Sequence, residues 1–169
     1  MNPTLAWWFE PADGCLGYGD GRTPVAGETH TVDCEPVLCS RGLHASVSPL
    51  DALGYAYSGY VWRVEIDGDV ERGDDKIVGR SRKYLFRVDA DRILHVFAIW
   101  CAEQALALID EPDPRSVEAL RVKRAWLAGE ATDEGLAAAG AAARAAAGDA
   151  QSAELERLLL ATVEAEVKP

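Results

Sequence analysis

The sequence predicts an α+β protein: a small, mostly antiparallel N-terminal sheet with one short helix, packed on a C-terminal bundle of about four helices. Three observations predict it. Most glycines and the turn pairs Asp13-Gly14, Asp20-Gly21 and Asp67-Gly68 lie before Asp89. The segments in which apolar and polar residues alternate lie there too. After Asp89 the chain changes to helix formers, alanine above all. The change of composition places a β-rich domain at 1–90 and a helical domain at 91–169.

Leu5-Ala6-Trp7-Trp8-Phe9-Glu10 reads as an aromatic strand stopped by Pro11, and Glu28-Thr29-His30-Thr31-Val32 as a weaker one. Leu43-His44-Ala45-Ser46 follows Gly42 and reads as a short strand feeding a helix. Ser48-Pro49-Leu50-Asp51 has the form of a capping box with proline at the first helical position. The Ser48 hydroxyl should accept the amide of the third helical residue while the Asp51 carboxylate reaches back. That helix is expected to run to the neighbourhood of Tyr57 and to break at Ser58-Gly59. Val61 to Asp67 alternates, with Trp62, Val64 and Ile66 on one face and Arg63, Glu65 and Asp67 on the other. Lys83 to Val88 does the same, with Tyr84, Phe86 and Val88 toward the core.

The segment from Asp91 to Asp110 is apolar on nearly every face, which predicts a helix buried between two layers and joining the halves. Glu111-Pro112-Asp113-Pro114 is a stop and a restart, with Asp113 as N-cap. The next helix should end at Gly129, and Thr132-Asp133 should cap a third through the alanine run. Ser152 is read as the start of a last helix whose Leu155, Leu158 and Leu159 bury either within one chain or across a homodimer.

The chain has 169 residues, 49% of them hydrophobic, so it can bury a core and is not a disordered chain. Its formal net charge of −11 excludes binding to a nucleic-acid backbone, which needs clustered Lys and Arg. The same charge suits a protein partner with a basic surface. No leader and no membrane-length apolar run is read, so the expected location is cytoplasmic, away from membranes. The four cysteines lack zinc-ribbon spacing; Cys34-x4-Cys39-x4-His44 has no evident fourth ligand, so no metal is assigned.

Candidate site residues are few. His44 titrates near neutrality and would suit a general base or a ribose contact; the other reading is a half-buried histidine bonded to a neighbouring loop. Arg80, Arg82 and Lys83 form the one basic cluster and would receive an anion or a partner's carboxylate, or else pair with Glu65, Asp67 or Asp69 on an adjacent strand. Asp74 and Asp75 would fix a partner or a cation, or simply shape a turn. Gly17-Tyr18-Gly19-Asp20-Gly21 lacks the strand-then-helix setting of a dinucleotide loop.

Three resemblances bear on function. Val37-Leu38-Cys39-Ser40-Arg41-Gly42-Leu43-His44-Ala45-Ser46, Leu50-Asp51-Ala52-Leu53 with Tyr55-Ala56, and Val70-Glu71-Arg72-Gly73-Asp74-Asp75-Lys76 resemble an uncharacterised family of phage, prophage and actinobacterial proteins. Phe97-Ala98-Ile99-Trp100-Cys101-Ala102 and Ala125-Trp126-Leu127-Ala128-Gly129-Glu130 are similar to helical segments labelled immunity proteins. More distantly, the Gly42-Leu43-His44 strand, the short helix and Val61-Trp62-Arg63-Val64-Glu65-Ile66 resemble small ADP-ribosyltransferases, including those that modify rifamycins. That resemblance implies NAD in a cleft between two small sheets, with His44 and Ser46 in the cleft as catalytic candidates. Where the family carries histidine or arginine on its first strand, this chain has Trp7, Trp8, Phe9 and Glu10. The acid or amide of a later strand has no clear match after Arg80-Ser81-Arg82. The expected function is protein–protein binding by a phage- or prophage-encoded accessory protein, in immunity or anti-defence, without a cofactor. The alternative is an NAD-dependent enzyme of ADP-ribosyltransferase type.

Overall fold

Alternating side chains and short glycine turns produce seven strands among the described residues. They are β1 (Thr4–Phe9), β2 (Thr29–Thr31), β3 (Leu43–Ala45), β4 (Tyr60–Asp67), β5 (Glu71–Arg72), β6 (Ile77–Gly79) and β7 (Ser81–Asp89), with helix α1 (Pro49–Leu53) between β3 and β4. The computed structural model describes residues 2–17 and 20–148. The chain divides into two units, Met1–Leu94 and His95–Pro169.

The first unit holds two antiparallel sheets. One has the order β1-β4-β7-β2 and the other β3-β6-β5. They are stitched together where Trp7 on the edge of β1 exchanges backbone hydrogen bonds with Ser46, just past β3, at 2.7 and 2.9 Å. Ala6, Val64, Ile66 and Tyr84 of the first sheet pack with Ala45 and Ile77 of the second. Full burial of a side chain such as Val64 or Ile66 contributes about 1.5–3 kcal/mol. A second cluster, Phe9, Ala52, Val61 and Ala90, lies under α1 with Leu53, Val88 and Leu94 at its margin. Both faces of β4 are therefore buried near Val61 and Trp62.

Helix α1 begins with the expected Ser48 cap, but the Asp51 carboxylate makes no return bond to the Ser48 amide. Ser48 Oγ accepts the amides of Leu50 and Asp51 at 3.2 and 3.4 Å, and Pro49 opens the helix. It is shorter than expected, because Gly54 ends it: the Gly54 amide turns back to the Asp51 carbonyl at 3.1 Å. A second departure falls on β7. Tyr84 is fully buried but Phe86, expected beside it, is 49% exposed. The cause is a register shift between Arg63 and Val64, opposite which β7 gains a residue and its alternation changes face.

Helix α2 spans Asp91–Leu106, α3 spans Pro114–Leu127 with Asp113 as its N-cap, and α4 covers 133–148. The expected last helix, with Leu155, Leu158 and Leu159, lies outside the described residues. Burial of α2 on all sides is not what the fold shows. Ile93, Val96, Phe97 and Trp100 are exposed and only Ile99 is buried along the helix. Those four follow the i, i+3, i+4, i+7 pattern, so they form one stripe rather than an even coat. No helix among the described residues is long and apolar enough to cross a membrane.

Candidate functional site

The seam between the two sheets opens into a cleft of about 620 Å³. That is the size of a small-molecule site. Its walls come from β1 (Trp7, Trp8), from β3 and Ser46, from the turn before β3, and from Tyr55 and Tyr57 beyond α1. The aromatic strand that sequence alone assigns to the core thus has a second use, because β1 is the edge strand of its sheet.

His44 and Ser46 both line the cleft. Strand alternation buries Leu43 and Ala45 and leaves His44 half-buried between them. Its Nε2 accepts the Cys39 amide at 3.2 Å, so the ring is a neutral acceptor that holds the turn. Cys39 has φ +60°, a left-handed conformation that costs a non-glycine residue energy, and this bond helps to keep it there. Burial lowers the pKa of His44 from 6.5; the Gly42 backbone opposes this, and the positive charges of Lys76 and Arg82 reinforce it. Ser46 is almost fully buried and is fixed by its backbone bonds to Trp7.

The basic run does not act as one cluster: Arg80 lies between β6 and β7, and within β7 alternation puts Arg82 and Lys83 on opposite faces. Arg80 pairs with Asp69 at 2.6 Å and Lys83 with Glu65 at 3.7 Å, both near solvent. Arg82 turns inward and is 2% exposed. Its Nε donates to the Tyr84 hydroxyl at 3.0 Å, its Nη1 donates to the His44 carbonyl at 2.8 Å, and its guanidinium stacks 3.9 Å from the Trp8 ring centre. No carboxylate within 4 Å pairs with it among the described residues. His30 Nδ1 meets the same Tyr84 hydroxyl at 3.2 Å.

Asp74 is exposed, whereas the Asp75 carboxylate accepts the Tyr55 hydroxyl at the cleft mouth. Lys76, a cleft residue, holds its ammonium 4.4 Å from the centre of the Tyr55 ring, and bonding to Tyr55 and then Cys39 raises its pKa. Asp20 is a cleft carboxylate that sequence reasoning passed over as part of a turn. Arg22 grips it through Nε and Nη2 at 2.9 and 2.5 Å, which lowers its pKa to about 2. Among the described residues no group of three or more His, Cys, Asp and Glu is arranged to hold a metal, and the four cysteines are free thiols.

A pH dependence follows from His44. Its folded pKa lies below the unfolded value of 6.5, so the unfolded chain binds the proton first. The associated stability is complete above pH 6.5 and is lost as pH falls from 6.5 through the lowered folded value. His30 shifts in the same direction, for burial first and then for Arg22 and Arg82. The melting temperature is expected to fall on acidification below pH 6.5, well before the carboxylates titrate. His44→Gln, which keeps an acceptor for the Cys39 amide, should reduce that slope. An unchanged melting profile in the variant would show that His44 does not govern it.

In the comparison with protein families, residues 24–96 match one family model, described as a domain of unknown function (DUF7666). The matched stretch runs from β2 to the start of α2 and contains His44, Ser46 and Arg82. No curated protein and no solved structure matches the chain.

Proposed function

We propose that the first unit is a ligand-binding domain whose cleft takes a nucleotide of the NAD class. The observation that carries the proposal is the cleft between two small sheets, walled by Trp7, Trp8, Tyr55 and Tyr57 and bordered by His44 and Ser46. Rings of this kind stack on a planar base or a nicotinamide. The arrangement is the one that the resemblance to small ADP-ribosyltransferases implies. The proposal is binding rather than transfer. Asp20 is the only carboxylate of the cleft wall among the described residues, and Arg22 occupies it. His44 is likewise engaged with the turn rather than held ready as a base.

The test is thermal denaturation and tryptophan fluorescence with NAD, ADP-ribose, adenosine and nicotinamide at millimolar concentration. A ligand at a hundred times its Kd stabilises by about 2.7 kcal/mol, which raises the melting temperature by several degrees. Trp7 and Trp8 should report the same event as a change in emission. No shift and no emission change with any of the four would overturn the reading.

A second reading has its own observation. The exposed stripe Ile93, Val96, Phe97 and Trp100 on α2 supports protein–protein association, as an accessory, immunity or anti-defence protein of phage type would use. With a net charge of −11, the fitting partner is a protein with an apolar strip set in a basic surface. A chain that ignores all four ligands, yet co-elutes with a protein partner through that stripe, would reverse the order of the two readings.

A further inference from the structure

All four cysteines are free thiols, and two of them, Cys39 and Cys101, are exposed. Of the four, Cys39 alone lines the cleft. Three neighbours define its setting there. His44 Nε2 accepts its backbone amide at 3.2 Å and holds the left-handed turn. The Lys76 ammonium donates to its sulfur and stands 4.4 Å from the Tyr55 ring centre. Arg41, two residues on, lines the same cleft. A nucleophilic atom and two cationic side chains thus belong to one concave site.

A second observation, independent of the thiol, points to a ligand in the same space. Ser46 lines the cleft and is 2% exposed. Its backbone N–H and carbonyl are both taken by Trp7. Its hydroxyl makes no hydrogen bond among the described residues, and it is not among the polar atoms sealed from solvent without a partner. The space left open to that hydroxyl is the cleft. A side chain so enclosed is normally bonded, so the cleft presents a donor and an acceptor that a ligand would satisfy.

The charge of the wall selects among ligands. The chain has 28 acidic residues against 17 Lys and Arg, so an average surface is negative. The cleft wall reverses that balance: it carries Arg41 and Lys76 against Asp20, and Asp20 is neutralised by Arg22. Such a wall draws in anionic molecules and disfavours cationic ones.

We propose that Cys39 is a modification site that takes up a small anionic disulfide, of the carboxylate-bearing peptide kind, as a mixed disulfide. The Cys39 thiol gives its proton to water, and its sulfur attacks one sulfur of the disulfide. The new S–S bond joins Cys39 to half of the reagent; the old S–S bond breaks, and the other half leaves as a thiolate that takes up a proton. Two electrons pass from the Cys39 sulfur to the leaving sulfur, so the small disulfide is itself the oxidant. Lys76 and Arg41 attract the carboxylates, and Ser46 bonds a polar group of the bound reagent. The modification rests on the reading of the cleft as a ligand site and adds its regulation: a group attached at Cys39 fills the space that a nucleotide would enter.

The experiment treats the full chain with glutathione disulfide, an anionic probe, and with cystamine, a cationic one, and follows each cysteine by peptide mass spectrometry. With glutathione disulfide, Cys39 is expected to react about tenfold faster than Cys101, which is also exposed. Cystamine should show no such preference. Lys76→Met should remove most of the preference for the anionic probe, Ser46→Ala should reduce it, and neither should change the rate at Cys101. Lys76 is partly exposed, so its variant decides if the Ser46 variant fails to fold. Equal rates at Cys39 and Cys101, the same preference with cystamine, or a preference that Lys76→Met leaves intact each overturns the site. The nucleotide reading is separable from it. A melting shift with NAD in a protein whose Cys39 reacts no faster than Cys101 defeats the modification site alone. Selective reaction at Cys39 in a protein that no nucleotide stabilises upholds the modification site and defeats the nucleotide reading.

Discussion

Glu10→Ala is expected to lower the unfolding free energy by about 3 kcal/mol, a large part of the roughly 5–15 kcal/mol available to a domain. Glu10 directly follows β1 and is 3% exposed. Its Oε2 accepts the buried Trp62 indole N–H at 2.6 Å and Arg87 Nε at 3.1 Å, and its Oε1 pairs with Arg87 Nη2. Burial pushes the carboxyl pKa up, but the bonds from Arg87 and Trp62 outweigh it and hold the group below 4.5. Arg87 is partly exposed and lies against the Tyr60 ring, so losing its partner costs it little. The indole has no such escape. Without Glu10 its N–H is a buried donor with no acceptor, which costs about 1–3 kcal/mol. Glu10→Gln keeps an acceptor for Trp62 and removes the charge, so it should cost about 1 kcal/mol. Urea denaturation of the three proteins measures both. If the alanine and glutamine variants lose the same stability, the indole bond is not the dominant element.

The acid limb of the pH profile belongs to the same carboxylate. With a folded pKa below its unfolded value, Glu10 contributes stability that is complete above pH 4.5 and is lost as pH falls through the folded value. Asp20, at about 2, extends the loss to lower pH but is more accessible, and contributes less. The histidine step and the carboxylate steps are therefore separated along the pH axis.

Much of this architecture is legible in the residues. Aromatic content and the Pro11 stop identify β1, alternation identifies β4 and β7, and proline after a polar cap identifies the starts of α1 and α3. The division into two sheets is not, because β5 and β6 have two and three residues and show no period. The exposure of Phe86 depends on a bulge within β7 itself, at Leu85, which no local pattern announces. Arg82 is the instructive case. The pairing of this basic cluster with Glu65, Asp67 or Asp69, one of its two readings, describes Arg80 and Lys83, but grouping Arg82 with them weighs charge above alternation. Tyr84, assigned to the core by period two, already put Arg82 on the core face two residues away. Glu10 left a fainter sign: a tryptophan in a core strand needs an acceptor for its N–H, and a carboxylate at the end of the neighbouring strand can supply one. The cleft itself depends on β1 being an edge strand beside a second sheet, a tertiary fact.

Gly42→Ala is expected to cost about 3 kcal/mol and to weaken ligand binding in the cleft. Gly42 has φ +107°, outside even the left-handed helical region that other residues visit. A Cβ there would lie 2.5 Å from Val78 Cγ2 and 3.3 Å from the Gly79 carbonyl oxygen. Val78 is fully buried and Gly79 pairs with Leu43, so neither neighbour has room to retreat. Relief must come from β3, which moves His44 and Ser46 with it. Gly27→Ala provides the control. Gly27 has φ +87° with open space where a Cβ would stand, so its replacement carries backbone strain without a clash. It should cost about 1–2 kcal/mol and leave the cleft intact. Denaturation midpoints measure the stability difference, and ligand titration of the folded variants measures the displacement of β3. Equal losses at Gly42 and Gly27 would show that strain acts alone, and that the close approach of β3 to β6 does not set the shape of the cleft.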